Sequence, residues 1–328
     1  MRNILVVGHG YVGKAMTAAL DQNPEFAYKI VDPGYPEHDI DLLEAWAETD
    51  AAIICVPTPQ GEDHRCDDSI VIDVIEQLTN VEGGHKKPIL IKSTTDIDTL
   101  RMYEMTENDI SFSPEFLRGR HAVEDFLKED KMIIGCNNID TGMKWAELFE
   151  DCLGRDLDTY FLSNSEAGYV KYAENSFLAM RVTFFNELFH AVLNIETNIN
   201  SPKLRTEEDF NNEYAKGSQK YESIVEALGM DPRIGHSHNK VPGPDGSYGW
   251  GGHCLPKDTL AWTEYTKAHG GFAHLMEFIR YLNFARHTTD ANSEGFNPIA
   301  SFYADRDLVD ASVVRDNIRN NQTFSEGE

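Results

Sequence analysis

Cys254 sits in GWGGHCLPKD, residues 249–258, where glycines precede a thiol and a lysine follows it. Small residues let a substrate approach the sulfur, and Lys257 can help hold a thiolate or a phosphate. That is a setting for covalent catalysis by a nucleophile. A lone cysteine is otherwise a small buried hydrophobe. His236, His238 and His253 could join Cys254 around zinc, but their spacing fits no common closed site. They read as loop histidines, and no metal is expected. Lys171 and Asn175, in VKYAEN, stand four apart and share one helix face. An ammonium and an amide pointing together can stabilise an oxyanion.

A second group suits a nucleotide. Residues 8–13, GHGYVG, match G-x-G-x-x-G between a strand-like run and a helix-like one. Gly8 allows the tight turn, Gly10 lets backbone approach a pyrophosphate, and Gly13 lets helix and strand close. The helix N-terminus then faces the phosphates. Asp32 ends the next strand-like run, where a carboxylate accepts from a ribose 2′-OH and repels a 2′-phosphate. NAD is therefore expected over NADP. Thr94 and Glu115 also follow strand-like runs, and such positions border the ligand crevice of a doubly wound sheet.

The elements that must carry these groups change in texture along the chain. Short β-branched runs at 3–7, 28–32, 51–56, 88–93, 110–113 and 131–136 alternate with helix-like stretches such as 12–22 and 70–79. This predicts an α/β fold, a Rossmann-like doubly wound parallel sheet with helices on both faces, over residues 1–163. Residues 165–195 contain no proline and carry two apolar faces, which predicts a long helix buried on more than one side. It is expected to form a homodimer interface. Residues 197–217 read as a polar inserted loop, 216–228 as a short helix, and 242–252 as a Gly/Pro loop. Helices are expected at 256–268 and 273–286. Residues 164–290 thus read as an all-helical central domain, and 291–328 as a short polar tail that frays.

Composition limits the partners. The 328 residues hold 29 Lys+Arg against 55 Asp+Glu, a formal charge of −26. Such a chain repels nucleic acid and anionic membranes. Hydrophobic residues make up 41%, which supports packed cores rather than disorder. No apolar run approaches the roughly 20 residues of a membrane helix. The N-terminus leads into a glycine turn rather than a cleavage site. Five cysteines without CxxC spacing suggest a reducing compartment, so a cytoplasmic location is expected.

GHGYVG, CVPTP (55–59), IKST (91–94), SPEFLR (113–118), EAGYVKYAENSFLAMRVTFFNE (166–187), DPRIG (231–235) and GWGGHCLPKD follow one another in this order. Together they resemble the UDP-glucose/GDP-mannose dehydrogenase family over about residues 1–290. The resemblance implies oxidation of a nucleotide-sugar C6 alcohol to a carboxylate with two NAD. UDP-glucose is the first substrate it suggests; GDP-mannose and UDP-N-acetyl-hexosamines stay open. Cys254 would be the nucleophile, passing through a thiohemiacetal and a thioester. Lys171 and Asn175 would stabilise oxyanions, and Asp258 would orient water. Glu115 would be the base for hydrolysis, and Thr94 would position water or sugar. Glu115, Phe116, Leu117, Arg118, Lys171 and Asn175 would line the sugar-diphosphate site. Tyr248, Gly249 and Gly251, in the 247–251 loop, would wrap the substrate. Arg233 would reach it across a dimer. Tyr11, Val12, Val56, Pro57, Thr58, Ser93, Thr94 and Lys257 would join Gly8, Gly10, Gly13 and Asp32 around the cofactor.

The chain also departs from that pattern. The family usually continues into a third α/β domain, and too few residues follow 286 for one. Weaker nucleotide binding, or replacement by another subunit, is the expectation. Gly119 stands where the family carries a second acid, so hydrolysis would rest on Glu115. A non-catalytic nucleotide-binding homologue is the alternative.

Overall fold

The computed structural model describes residues 1–288 apart from Asp39, Pro202, Arg205 and Asp245. The expected tail at 291–328 lies outside the described residues. Two compact units are present among the described residues: 1–175 with 260–265, and 176–259 with 266–288.

The first unit runs β1 (Asn3–Val7), α1 (Tyr11–Leu20), β2 (Ala27–Val31), α2 (Leu42–Ala47), β3 (Ala51–Ile54), α3 (Ser69–Thr79), β4 (Ile89–Ile91), α4 (Ile97–Glu104), β5 (Ile110–Phe112), α5 (Ala122–Leu127), β6 (Lys131–Cys136), α6 (Ile139–Leu153), β7 (Asp158–Leu162) and the start of α7 (Asn164–Glu196). Its sheet has the order β2-β1-β3-β4-β5-β6-β7. All neighbours are parallel except β5 and β6. The Rossmann-like expectation holds, with the last two strands reversed. Segment 113–130 therefore leaves and re-enters the sheet at the same end of the strands, as an antiparallel neighbour requires. That keeps Glu115 at the carboxyl end of the parallel strands. β7 was not expected from DTYFL, whose side chains stay at least partly exposed.

Alternation across each strand divides two cores. Ile4, Val6, Ile53 and Leu90 pack with Met16 of α1, Phe126 of α5, and Trp145 and Phe149 of α6. Leu5, Val7, Ile54, Ile91 and Phe112 pack with Val71, Val74 and Ile75 of α3 and Leu100 of α4. Being buried on both faces explains why these strands read as continuous apolar runs. The strand order reverses between β1 and β3, which places the ligand crevice at their carboxyl ends.

The second unit takes the rest of α7, then α8 (Glu207–Gly229) and α10 (His274–Thr288). Phe185, Phe189, Val192 and Leu193 of α7 meet Tyr221 and Val225 of α8. The inserted loop expected at 197–217 is helical in its second half, from Glu207 on. Thr206 starts α8 with a reciprocal cap: its hydroxyl accepts from the Asp209 N–H at 3.0 Å, and Asp209 Oδ2 accepts from the Thr206 N–H at 3.2 Å. The polar run hid a narrow buried face at Glu213, Gly217, Tyr221 and Val225. A Cβ on Gly217 would lie 2.6 Å from the Leu193 side chain, so glycine lets the two helices close. The described residues of 242–252 carry no helix or strand. α9 (Cys254–Ala268) supplies Leu260–Tyr265 to the first unit, where Ala261 and Tyr265 pack with Ile97 and Tyr172. Among the described residues no helix is long and apolar enough to cross a membrane.

Candidate active site

The glycine loop joins β1 to α1. Gly8 takes a left-handed φ of +90°, and a Cβ there would meet the Cys55 carbonyl oxygen at 2.5 Å. A Cβ on Gly13 would lie 2.1 Å from the Gly8 carbonyl oxygen, so both positions are dictated by the fold. Gly10 differs: nothing lies within 4 Å of its Cβ position, although it caps α1. That open space at a helix N-terminus fits a pyrophosphate, with Tyr11 and Val12 opening the helix beside it. The Asp32 carboxylate is fixed by backbone N–H groups, from His9 to Oδ2 at 2.6 Å and from Gly34 to Oδ1 at 2.8 Å. A carboxylate has lone pairs to spare for a ribose hydroxyl. His9 meets His38 edge-on, with ring centroids 4.9 Å apart. Burial, His38 and Lys14 pull its imidazole below the ordinary value, against the opposing charges of Asp32 and Glu37. These residues fit a dinucleotide.

Val56, Pro57 and Thr58 follow β3, and Ser93 and Thr94 follow β4. The Ser93 hydroxyl donates to the Val56 carbonyl at 2.7 Å and ties the two strand ends together. Cys66 donates through Sγ to the Thr94 carbonyl at 3.3 Å.

Glu115 follows β5 and is buried. Lys171, on α7, donates to its backbone carbonyl and stands 5.2 Å from the Phe116 ring centroid. Folding thus brings SPEF and the α7 lysine together. Asn175 is buried one helical turn on. Lys92 was passed over in the sequence, yet it pairs with the Glu115 carboxylate and donates to Ser113 Oγ at 2.9 Å. A lysine following an apolar strand run was the available signal. Beside the pair lies a cavity of about 70 Å³, lined also by Glu129, Lys131 and Glu174. It has room for water but not for a sugar nucleotide. Burial pushes the Glu174 carboxyl up, with Lys131 and Lys171 opposing. Leu117 instead packs against the sheet core. Arg118 is held in a fork by Asp125 at 3.0 and 2.5 Å. Gly119 is exposed, and nothing lies within 4 Å of its Cβ position, so the fold does not require glycine there.

In the second unit, Cys254 is the first residue of α9 and only partly exposed. Positions 254, 257 and 258 share one face of its first turn, where the helix dipole favours negative charge. Lys257 Nζ lies 2.8 Å from the buried Asp258 Oδ1. The 247–251 loop is pinned by buried side chains that the sequence did not flag. Asn186 Oδ1 accepts from the Gly249 N–H at 2.8 Å, and Asn283 exchanges two 2.8 Å bonds with the Trp250 backbone. The Trp250 indole donates to Thr183 Oγ1 at 3.0 Å. Tyr248 shares a 2.6 Å hydroxyl bond with Tyr214, and Gly251 is open. Arg233 is exposed and forks onto its neighbour Asp231. Among the described residues, no group of three or more His, Cys, Asp or Glu could hold a metal ion.

Sheet topology, glycine loop and Asp32 define a dinucleotide-binding α/β protein. Residues 34–153 match the NAD binding domain of the UDP-glucose/GDP-mannose dehydrogenase family, and residues 210–285 match its central domain. These stretches cover more than half of the chain, which belongs to that family; its cofactor is NAD. Cys254, Lys257 and Asp258 fall inside the matched stretches; Gly8–Gly13, Lys171 and Asn175 fall outside. A UDP-glucose 6-dehydrogenase of Campylobacter jejuni is 29% identical over 290 residues, 78% of this chain and 66% of its own. One of Haloferax volcanii is 26% identical over 317 residues, 83% of this chain and 67% of its own. A solved UDP-glucose dehydrogenase from Pyrobaculum islandicum shares the fold, with a TM-score of 0.65 at 24% identity over 87% of this chain and 68% of that one. The chain spans about two thirds of the length of these relatives.

Proposed function

We propose that the chain is an NAD-dependent nucleotide-sugar 6-dehydrogenase that oxidises UDP-glucose to UDP-glucuronate. The observation that carries this reading is the Lys171–Glu115 contact, which joins the SPEF loop to the α7 lysine inside a unit of this family's NAD binding type. NAD, when bound, supplies the hydride acceptor for both oxidations. Gly8, Gly10, Gly13 and Asp32 hold it, with Val56–Thr58 and Ser93 at the adjoining strand ends.

The chain's own residues divide the rest of the chemistry. Cys254 adds its sulfur to the C6 aldehyde, and the aldehyde oxygen takes up a proton to give a thiohemiacetal. Lys171 and Asn175 stabilise negative charge on that oxygen. After the second oxidation the carbon is a thioester. Glu115 takes a proton from water as the water oxygen bonds to that carbon. The C–S bond then breaks, the carboxylate leaves, and the sulfur regains a proton. Asp258 orients the water, and Thr94 positions water or sugar. Phe116 and Arg118, with Tyr248 and Gly249, line the substrate.

Assembly as a homodimer belongs to the same reading. Phe177, Phe184 and Ile195 are exposed along one stripe of α7, a surface that a second copy would cover. Sedimentation at micromolar protein should give twice the 37.0 kDa chain mass; a single-chain mass would remove the dimer.

The covalent step is tested by acid quenching during turnover with UDP-glucose and NAD. The Cys254 peptide should carry the sugar-nucleotide acyl group. Turnover that continues after Cys254→Ala, with no adduct in the parent chain, would overturn the mechanism.

A further inference from the structure

β4 and β5 lie side by side, with Leu90 paired to Ser111. Two residues on, Lys92 and Ser113 leave those strands toward the same sheet face. Leu90 packs there with Phe126 and Phe149. Ser111 and Ser113 are small and fully buried, so β5 leaves room on this face. The Lys92 side chain takes it. Its ammonium lies 5.7 Å from the Phe126 ring centroid and 5.9 Å from that of Phe149. It donates to Ser113 Oγ at 2.9 Å and pairs with Glu115 Oε1. The Lys92 and Glu115 side chains are only 2% and 9% exposed.

An ion pair this deep gains little over well-packed apolar residues of similar size. Stability alone gives a weak reason for a lysine here, whereas the control of a neighbouring carboxylate gives a direct one. We propose that Lys92 is a positioning residue for Glu115, holding its carboxylate ionised and turned toward the water-sized cavity so that it can accept a proton during turnover. This rests on the dehydrogenase reading above.

The surroundings agree with that role. Cys55 after β3, Glu129, and Lys171 from α7 face the Lys92 ammonium, and Lys131 and Glu174 line the same cavity. Burial pulls the ammonium down, with Lys171 adding to the pull and Cys55 and Glu129 opposing it. Contact with an ionised Glu115 favours the charged form of each partner. Protonating Glu115 removes the carboxylate charge in contact with the Lys92 ammonium, so the two titrations are linked.

The test follows the Glu115 carboxyl carbon by NMR in chain labelled with ¹³C at the glutamate side-chain carboxyl. Its signal is assigned by its loss in Glu115→Gln. In the parent chain, Glu115 should be ionised throughout neutral pH. In Lys92→Met the midpoint should rise by about one pH unit or more, and Lys92→Arg should largely restore it. NADH formation from UDP-glucose should lose its acid limb at correspondingly higher pH in Lys92→Met. A purely structural lysine would change the melting temperature and leave the Glu115 midpoint unmoved, which overturns the proposal. A parent chain whose Glu115 stays protonated at neutral pH overturns it even if Lys92→Met fails to fold. If the midpoint shifts as expected but no NADH forms with any nucleotide sugar, the pairing is supported and the dehydrogenase reading fails.

Discussion

The backbone N–H of His9 donates to Asp32 Oδ2 at 2.6 Å, so the glycine loop itself aims the carboxylate that would meet a ribose. Asp32→Ala removes a charged acceptor and the repulsion of a 2′-phosphate. NAD binding should weaken on the order of tenfold to a hundredfold, and the preference over NADP should shrink. Fluorescence titration with both cofactors reads this. Unchanged discrimination would remove Asp32 from the site.

The loop glycines should separate by role. Gly13→Ala forces a Cβ to 2.1 Å from the Gly8 carbonyl oxygen and should lose at least about 2 kcal/mol of stability. Gly10→Ala meets no protein atom within 4 Å and should melt close to the parent chain, yet lose NAD binding. Thermal melts with and without NAD distinguish the two. Normal NAD affinity in Gly10→Ala would mean that the pyrophosphate lies elsewhere.

Alkylation of the native chain should be selective for Cys254. Burial pushes the Cys55 and Cys152 thiols up to about 12 and also raises that of Cys136. Cys66 is buried and donates to a carbonyl. Limiting iodoacetamide near pH 8 reacts with accessible thiolate, so peptide mapping should place the first label on Cys254. First labelling at any other cysteine contradicts this.

Asp50 closes the start of β1 by accepting the Arg2 and Asn3 backbone N–H groups, both at 2.9 Å. Those bonds hold its carboxyl below the ordinary value of 3.8. The native state therefore binds fewer protons than the unfolded chain across that interval. The contribution is complete above the ordinary carboxylate value and disappears as pH falls through the lowered native one. Asp50→Ala should be less stable by about 1 kcal/mol at neutral pH, small because solvent screens the group. The gap in denaturant midpoint should close in acid. A gap that persists there would assign the effect to packing instead.

The residues differ in how far the sequence reveals them. GHGYVG could be placed because steric demand at Gly8 and Gly13 leaves few substitutes, and the flanking apolar runs declare a strand and a helix. α8 was partly hidden because its buried face is narrow and includes Glu213 and Gly217, so no apolar stripe marks it. Lys92 was missed because a lysine beside a strand reads as an exposed end; only the pairing of β4 with β5 shows it turned inward beside Glu115. Asn186 and Asn283 act on a loop distant in sequence, and spacing alone carries no trace of such bonds.

The NADH yield from limiting UDP-glucose with excess NAD distinguishes a four-electron from a two-electron oxidation. Two NADH per sugar are expected, with UDP-glucuronate as product. One NADH per sugar, with the aldehyde released, would contradict it and leave Cys254 without its assigned role.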